Sequence, residues 1–384
     1  MKKIITTLLG VIIYISISIC CVGIKIAKAE TNELGVSSKS ALLMDCDTET
    51  IIFEKEIDKK LPIASMVKMM TIYLTLNEIE DGNLSLDKKV TISENASGMG
   101  GSQVFIDPYV SYTVENLLKS VIMSSANDSS VALAEEISGS ESSFVNKMNS
   151  TAKNLGMNNT LYCNCTGLPA PEQYSTAYDC AVLLRNLIKY DLYHKYSNIW
   201  MDELVHPSGR KTELVNTNKL VKYYNGCDCG KTGSTSEAGY CLTSSAIRDN
   251  MRLICVVIGS DSGKERFKES TNLFNYGFAN YENRKLISKT VVLTNVSTTR
   301  CKQKEANIVS VKDYYVFDKK GNKSSYDVSY SLPNKIGATK VGEIVGQVIV
   351  LKDGNVVEKI DLTVLDNIDG MSFKDNVFQI IENW

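Results

Sequence analysis

Histidine is nearly missing from this 384-residue chain, which holds only His194 and His206. Neither stands in a recognisable Ser-His-Asp setting, so imidazole activation of a serine is a poor reading here. An excess of either charge is missing too. Lys and Arg total 42 against 44 Asp and Glu, and no basic tract or RNA-binding signature appears, which gives no reason to invoke nucleic acid. Internal repeats and low-complexity stretches are also absent. Cysteine is present, eleven in all, but without the spacing of a metal site. Cys163-Asn164-Cys165 and Cys227-Asp228-Cys229 have one-residue gaps, shorter than zinc ligands usually show, and neither His lies near them in sequence. Nine Cys follow Ala29, an odd number at irregular spacing. That favours free or buried thiols, with a disulfide as the alternative. No metal and no cofactor is expected. Cys229 stands two residues before Lys231, where oxidation would disturb its neighbour.

The remaining composition, 43% hydrophobic and 22% charged, is that of a globular protein with room for two domains. Lys2 and Lys3 precede an apolar run from Ile4 to Ile26, and Ala27-Lys28-Ala29 offers a small-residue cleavage site. Residues 1–29 read as an export leader, with an uncleaved anchor as the alternative. Bulky Ile19 before Cys20 argues against lipidation at Cys20 or Cys21. The protein is expected outside the cytoplasm, at the outer face of the membrane, in the wall or secreted.

Residues 41–53 read as strand, turn, strand. From Met66 the apolar spacing turns helical and stops at Gly82, which puts Ser65 at a helix start and Lys68 one turn on, on the same face. The helix N-terminus adds a positive dipole and free N–H groups. Two helical runs flank Ser125–Asp128, and another helix follows the Pro169–Tyr174 loop. Strand-rich text around Arg248-Asp249-Asn250 forms a hairpin, and a helix ending near residue 283 closes the first domain. Helices in the middle and strands at both ends predict an α/β (α+β) fold: an antiparallel sheet, its first and last strands meeting, flanked by helices. Residues 285–368 read as a small all-β domain. The tail, 369–384, places Phe373, Val377, Ile380, Ile381 and Trp384 on one helical face. It is read as a membrane-surface helix, with docking on the β domain as the alternative.

Three motifs occur in order: Ser65-Met66-Val67-Lys68, Ser125-Ala126-Asn127 and Lys231-Thr232-Gly233. Each is weak alone, but S-x-x-K, S-x-N and K-T-G together are a strong acyl-transfer signal. Ser65 is the candidate nucleophile, and with no credible His the base falls to Lys68. An ordinary Lys is only roughly 0.04% neutral at pH 7, so about 4 kcal/mol of differential stabilisation is needed. Burial and a nearby second cation, Lys231, would both act that way. Ser125 can relay a proton. Asn127 can donate to and accept from a substrate amide. Lys231 offers charge and Thr232 a hydroxyl for a terminal carboxylate, and Gly233 allows a substrate backbone close approach. The N–H groups of Ser65 and Ser234 are candidate oxyanion donors.

On these residues, the chain resembles the D-alanyl-D-alanine carboxypeptidases, the low-molecular-mass penicillin-binding proteins. The likeness extends over roughly residues 35–283 through "GMGGSQVF", "SSANDSSVALAE", "NCTGLPAPEQYSTAYD" and "GKTGSTSEAGYCLTSSA". It implies a β-lactamase/transpeptidase-like fold and removal of the terminal D-Ala from the peptidoglycan stem pentapeptide through an acyl-serine. It also implies acylation of Ser65 by β-lactams, and a role for Arg266 in carboxylate binding. Ser234 departs from relatives that often carry a bulky residue there, which bears on substrate preference. A class A β-lactamase is the nearest rival. It needs a deacylating Glu after S-x-N, and Glu172 lacks the E-x-x-L-N context. A non-catalytic peptidoglycan-binding module, or an endopeptidase cutting D-Ala-containing cross-links, would share the same motifs.

Overall fold

The computed structural model describes residues 34–322 and 324–372, together with Lys374. The expected leader and the apolar residues of the expected tail lie outside the described residues. Five strands form the central sheet: β1 (Ser40–Asp45), β2 (Ile51–Lys55), β3 (Cys227–Thr235), β4 (Gly239–Arg248) and β5 (Met251–Ser260). Their order is β2-β1-β5-β4-β3, antiparallel throughout. The first and last strands meet as expected, Ser40 opposite Ile258 and Met44 opposite Ile254. Asp249 and Asn250 both adopt positive φ, 48° and 60°. That fits the two-residue turn whose twist matches a hairpin.

Strand alternation divides the core in two. Leu42, Met44, Ile254, Val256 and Ile258 face one hydrophobic cluster, while Ala41, Leu43, Leu253, Cys255 and Val257 face another. Because both faces are covered, every residue of β1 is buried. The first cluster is roofed by helices α1 (Lys68–Glu80), α2 (Val114–Ser124), α3 (Asn127–Ser138) and α4 (Ala177–Leu187). The second lies under α5 (Gly263–Asn280). Gly277 lets α5 settle onto the sheet, since a Cβ there would lie 2.5 Å from Leu253 Cδ1. The closing helix begins earlier than its apolar text suggested. Ser262 caps it by accepting from Glu265 N–H, so Arg266 sits in its first turns.

Beyond α5 the chain becomes all-β. Strands β6 (Tyr281–Ile287) and β9 (Tyr314–Lys319) pair with each other. A six-stranded sheet joins β7 (Thr294–Thr298), β8 (Glu305–Ser310), β10 (Tyr326–Ser331), β11 (Lys335–Ile336), β12 (Gly346–Lys352) and β13 (Asn355–Val364) in the order β10-β12-β13-β8-β7-β11. Its own core gathers Ile308, Val348, Val350, Ile360 and Leu362. No helix among the described residues is long and apolar enough to cross a membrane.

Candidate active site

Ser65 lies in a 3₁₀ turn, Ala64–Val67, that runs directly into α1. This tight turn starts one residue before Ser65, and Ala64 has φ 48°, a left-handed conformation unusual for a residue with a Cβ. Two glycines let neighbours press against the turn. A Cβ on Gly233 of β3 would lie 2.5 Å from Ile63 O and 3.1 Å from Ser65 N. One on Gly167, φ +79°, would lie 2.1 Å from Ala64 O. Gly233 was expected to admit a substrate backbone; the close approach it makes here is to the nucleophile's own turn. This brings the start of Ser234 alongside Ser65 while the Ser234 side chain stays exposed.

Lys68 is fully buried, and its Nζ donates to Ser65 Oγ at 3.1 Å and to Thr166 O at 2.5 Å. Burial brings its pKa down to about 7, against a small opposing pull from Cys165 and Asp128. The sequence expectation assigned Lys231 a share in that shift. Burial carries it, and the like-charge repulsion falls on Lys231 instead. Lys231 is held well below the ordinary lysine range, first by burial, then by Lys68 and Arg266. Lys231 Nζ donates to Ser125 Oγ at 2.8 Å and to Thr232 O at 3.1 Å.

Ser125 is the left-handed cap that ends α2, with φ 61° and ψ 34°. Such a conformation costs a non-glycine residue roughly 1–2 kcal/mol and turns the chain sharply between two helices. The break between them is shorter than the spacing of residue types suggests. Asn127 and Asp128 already belong to α3. The Asp128 carboxylate accepts from the N–H groups of Val104, Ile106 and Ser129, which pins the loop beside the site. Asn127 N–H donates to Ser102 O and Nδ2 donates to Gly100 O, both at 2.7 Å. Its Oδ1 is buried and has no partner among the described residues, leaving one acceptor unused.

Arg266 reaches over from α5. One guanidinium nitrogen donates to Gly233 O at 3.0 Å and to Cys241 O at 3.3 Å, while its Nε is buried without a partner among the described residues. Thr232 is buried beside Lys231. The structure therefore gathers Ser65, Lys68, Ser125, Asn127, Lys231, Thr232, Gly233, Ser234 and Arg266 around the junction of β3 and the start of α1. Glu172 is not with them. It lies in the solvent-exposed part of its loop near Cys163, whose thiol it pushes up after burial. The loop turns a main-chain carbonyl, that of Thr166, toward Lys68.

That carbonyl and the groups shaping it were missed from the sequence, because a main-chain acceptor has no residue-type signature. A second missed cluster brings His194 within 3.3 Å of Asp228, whose two oxygens also receive Arg252 at 2.9 and 2.7 Å. Burial pushes the Asp228 carboxyl up, but His194 and Arg252 outweigh it and hold the group at about 2. All nine cysteines among the described residues are free, and only Cys163 is exposed.

Residues 26–262 match the family D-alanyl-D-alanine carboxypeptidase, and residues 281–369 match the C-terminal domain of penicillin-binding protein 5. D-alanyl-D-alanine carboxypeptidase DacF of Bacillus subtilis is 36% identical over 100% of this chain and 99% of its own length. DacC of Escherichia coli is 32% identical over 90% of this chain and 88% of its own. Among solved structures, the carboxypeptidase DacD of Francisella tularensis shares 30% identity with a TM-score of 0.67, covering 87% of this chain and 94% of that one. Penicillin-binding protein 5 of Haemophilus influenzae gives 30% and 0.68 over 87% and 98%. With its antiparallel sheet, its trailing β domain and these relatives over nearly its whole length, the chain belongs to the D-alanyl-D-alanine carboxypeptidase family of penicillin-binding serine peptidases.

Proposed function

We propose that this chain removes the terminal D-alanine from peptidoglycan stem pentapeptides through an acyl-Ser65 intermediate. The observation that carries the reading is the buried Lys68 amine, 3.1 Å from Ser65 Oγ and with a pKa near neutrality. Neutral Lys68 takes the Ser65 proton as Oγ attacks the carbonyl of the penultimate D-Ala. The N–H groups of Ser65 and Ser234 receive the oxyanion. Ser125, linked to Lys231, passes a proton to the departing D-Ala amine. Water then cleaves the ester, which frees the tetrapeptide carboxylate and restores Ser65. Lys231, Thr232 and Arg266 bind the terminal carboxylate, and the unpartnered Asn127 Oδ1 accepts from a substrate amide N–H. A β-lactam presents the same carboxylate and amide, and its ring C–N bond opens as Ser65 is acylated.

The proposed division of the chain is an export leader (1–29), the catalytic domain (30–283), the β domain (285–368) and a tail (369–384) that touches the membrane surface. This places the enzyme outside the cytoplasm, where its substrate is. Intact-protein mass spectrometry tests the reading. A penicillin adduct on the wild type, its loss in Ser65→Ala, and release of one D-Ala from a D-Ala-D-Ala peptide are expected. A folded wild type that forms no adduct and releases no D-Ala would refute it.

A further inference from the structure

We infer that Asn164 is a positioning residue for the Lys68 base, acting through the Thr166 carbonyl; this rests on the reading of Lys68 as base. Asn164 spends its whole side chain on its own loop. Its Oδ1 accepts from Gly167 N–H at 2.7 Å and from Thr166 N–H and Thr166 Oγ1–H, both at 3.2 Å. Its Nδ2 donates to Leu168 O at 3.0 Å. Gln173 braces the same loop from outside, accepting from Cys163 and Asn164 N–H and donating to Leu168 O. The product of this knot is one buried main-chain acceptor, Thr166 O, aimed at Lys68 Nζ 2.5 Å away.

The geometry explains why the base needs it. A neutral amine has two N–H bonds and one lone pair. With an N–H fixed on Thr166 O, the other N–H and the lone pair share the two remaining directions, and one of these faces Ser65 Oγ: the charged amine donates to it there, and the neutral amine turns its lone pair to it. The same carbonyl stabilises the ammonium that forms when Ser65 gives up its proton. The charged and titratable groups facing Lys68 come from three elements: Cys165 on this loop, Asp128 on α3 and Lys231 on β3. None of them restrains the direction of the amine as the loop does. A loop loosened by a fraction of an ångström would leave Lys68 buried but misdirected, a fault worth roughly 10- to 100-fold in rate.

The test is the pH dependence of penicillin acylation, with melting temperature measured in parallel. Asn164→Ala frees the Thr166 carbonyl. The ammonium loses an acceptor, so the acid limb of the profile moves to lower pH while the plateau falls at least about tenfold. Asn164→Asp keeps the acceptor oxygens and adds a negative charge. The Lys68 pKa rises, the acid limb moves to higher pH, and most of the plateau returns under alkaline conditions. Opposite limb shifts in the two variants support the assignment. A plateau loss that tracks a lower melting temperature, with the limb unmoved, makes Asn164 merely structural and overturns it. Unchanged profiles also overturn it. A folded wild type that takes no penicillin adduct overturns the underlying Lys68 reading as well.

Discussion

Strand β3 carries two charged clusters three residues apart, one half-buried at Asp228 and one buried at Lys231, and they are built on opposite rules. At Asp228 the charges are matched: Arg252 reaches both carboxylate oxygens, and His194 comes within 3.3 Å. At Lys231 they are not. Lys231, Lys68 and Arg266 converge, and among the described residues none makes an ion pair. Burying a charge without a partner costs several kcal/mol, and here the cost appears as lysines driven toward neutrality. The matched cluster therefore reads as structure. The unmatched one reads as a site left incomplete for an anionic ligand, with one amine made basic enough and neutral enough to take a proton.

Removing the base should have the largest effect. Lys68→Met should slow penicillin acylation at least about 1,000-fold, within the range for loss of general-base catalysis. It should also stabilise the fold. The sign follows from the lowered pKa: between about 7 and the ordinary 10.5 the unfolded chain holds a proton on Lys68 that the folded chain does not. Wild-type stability should then rise with pH across that window, by up to roughly 5 kcal/mol from this group. The slope should flatten in Lys68→Met, as read by denaturant melts at pH 7 and pH 10. A variant less stable than wild type at pH 7 would break the contrast between the clusters.

Gly233→Ala comes next. Its Cβ collides with Ile63 O and crowds Ser65 N, so β3 must back away from the nucleophile turn. Acylation should fall on the order of 100-fold, comparable to loss of an oxyanion donor, with a folded far-ultraviolet spectrum. Arg266→Lys should be milder. It should raise KM about tenfold for peptides with a free terminal carboxylate and leave amidated ones nearly unchanged, since a Lys cannot reproduce the planar guanidinium. Equal effects on both would place Arg266 in the hairpin alone, through Gly233 O and Cys241 O.

The smallest effect on rate should come from the matched cluster. Asp228→Asn should leave acylation within about threefold but lower stability by roughly 2 kcal/mol at pH 7, the order given by its lowered pKa. A carboxylate held at about 2 contributes stability that is full above its ordinary value near 3.8 and is lost as pH falls toward 2. The wild-type advantage over Asp228→Asn should vanish across that acid window, as acid-unfolding curves would show. Loss of acylation with unchanged stability would reverse the roles assigned to the two clusters.

Much of this contrast could be read along the chain. The motif order, the hairpin signal at Asp249-Asn250 and strands at both ends were enough to expect a sheet whose ends meet and a Ser-Lys site at a helix start. Local residue type decides such features. What escaped depends on main-chain atoms or distant approach. The carbonyl of Thr166 acts whatever its side chain is. The close passages at Gly167 and Gly233 arise only when the loop and strand pack on the 3₁₀ turn. His194 meets Asp228 across 34 positions of sequence, and nothing near either residue announces the other. The two-residue break at Ser125 reads as longer in the sequence, because its left-handed backbone compresses a turn that composition alone would spread over four residues.

The central claim, that burial makes Lys68 a base at neutral pH, is tested most directly by the acylation rate of the wild-type protein with a penicillin from pH 5.5 to 9.5. A rate that rises with pH to half its plateau near pH 7 is predicted. A rate that is flat across this range, or still climbing at pH 9.5 as an ordinary lysine would require, would contradict it.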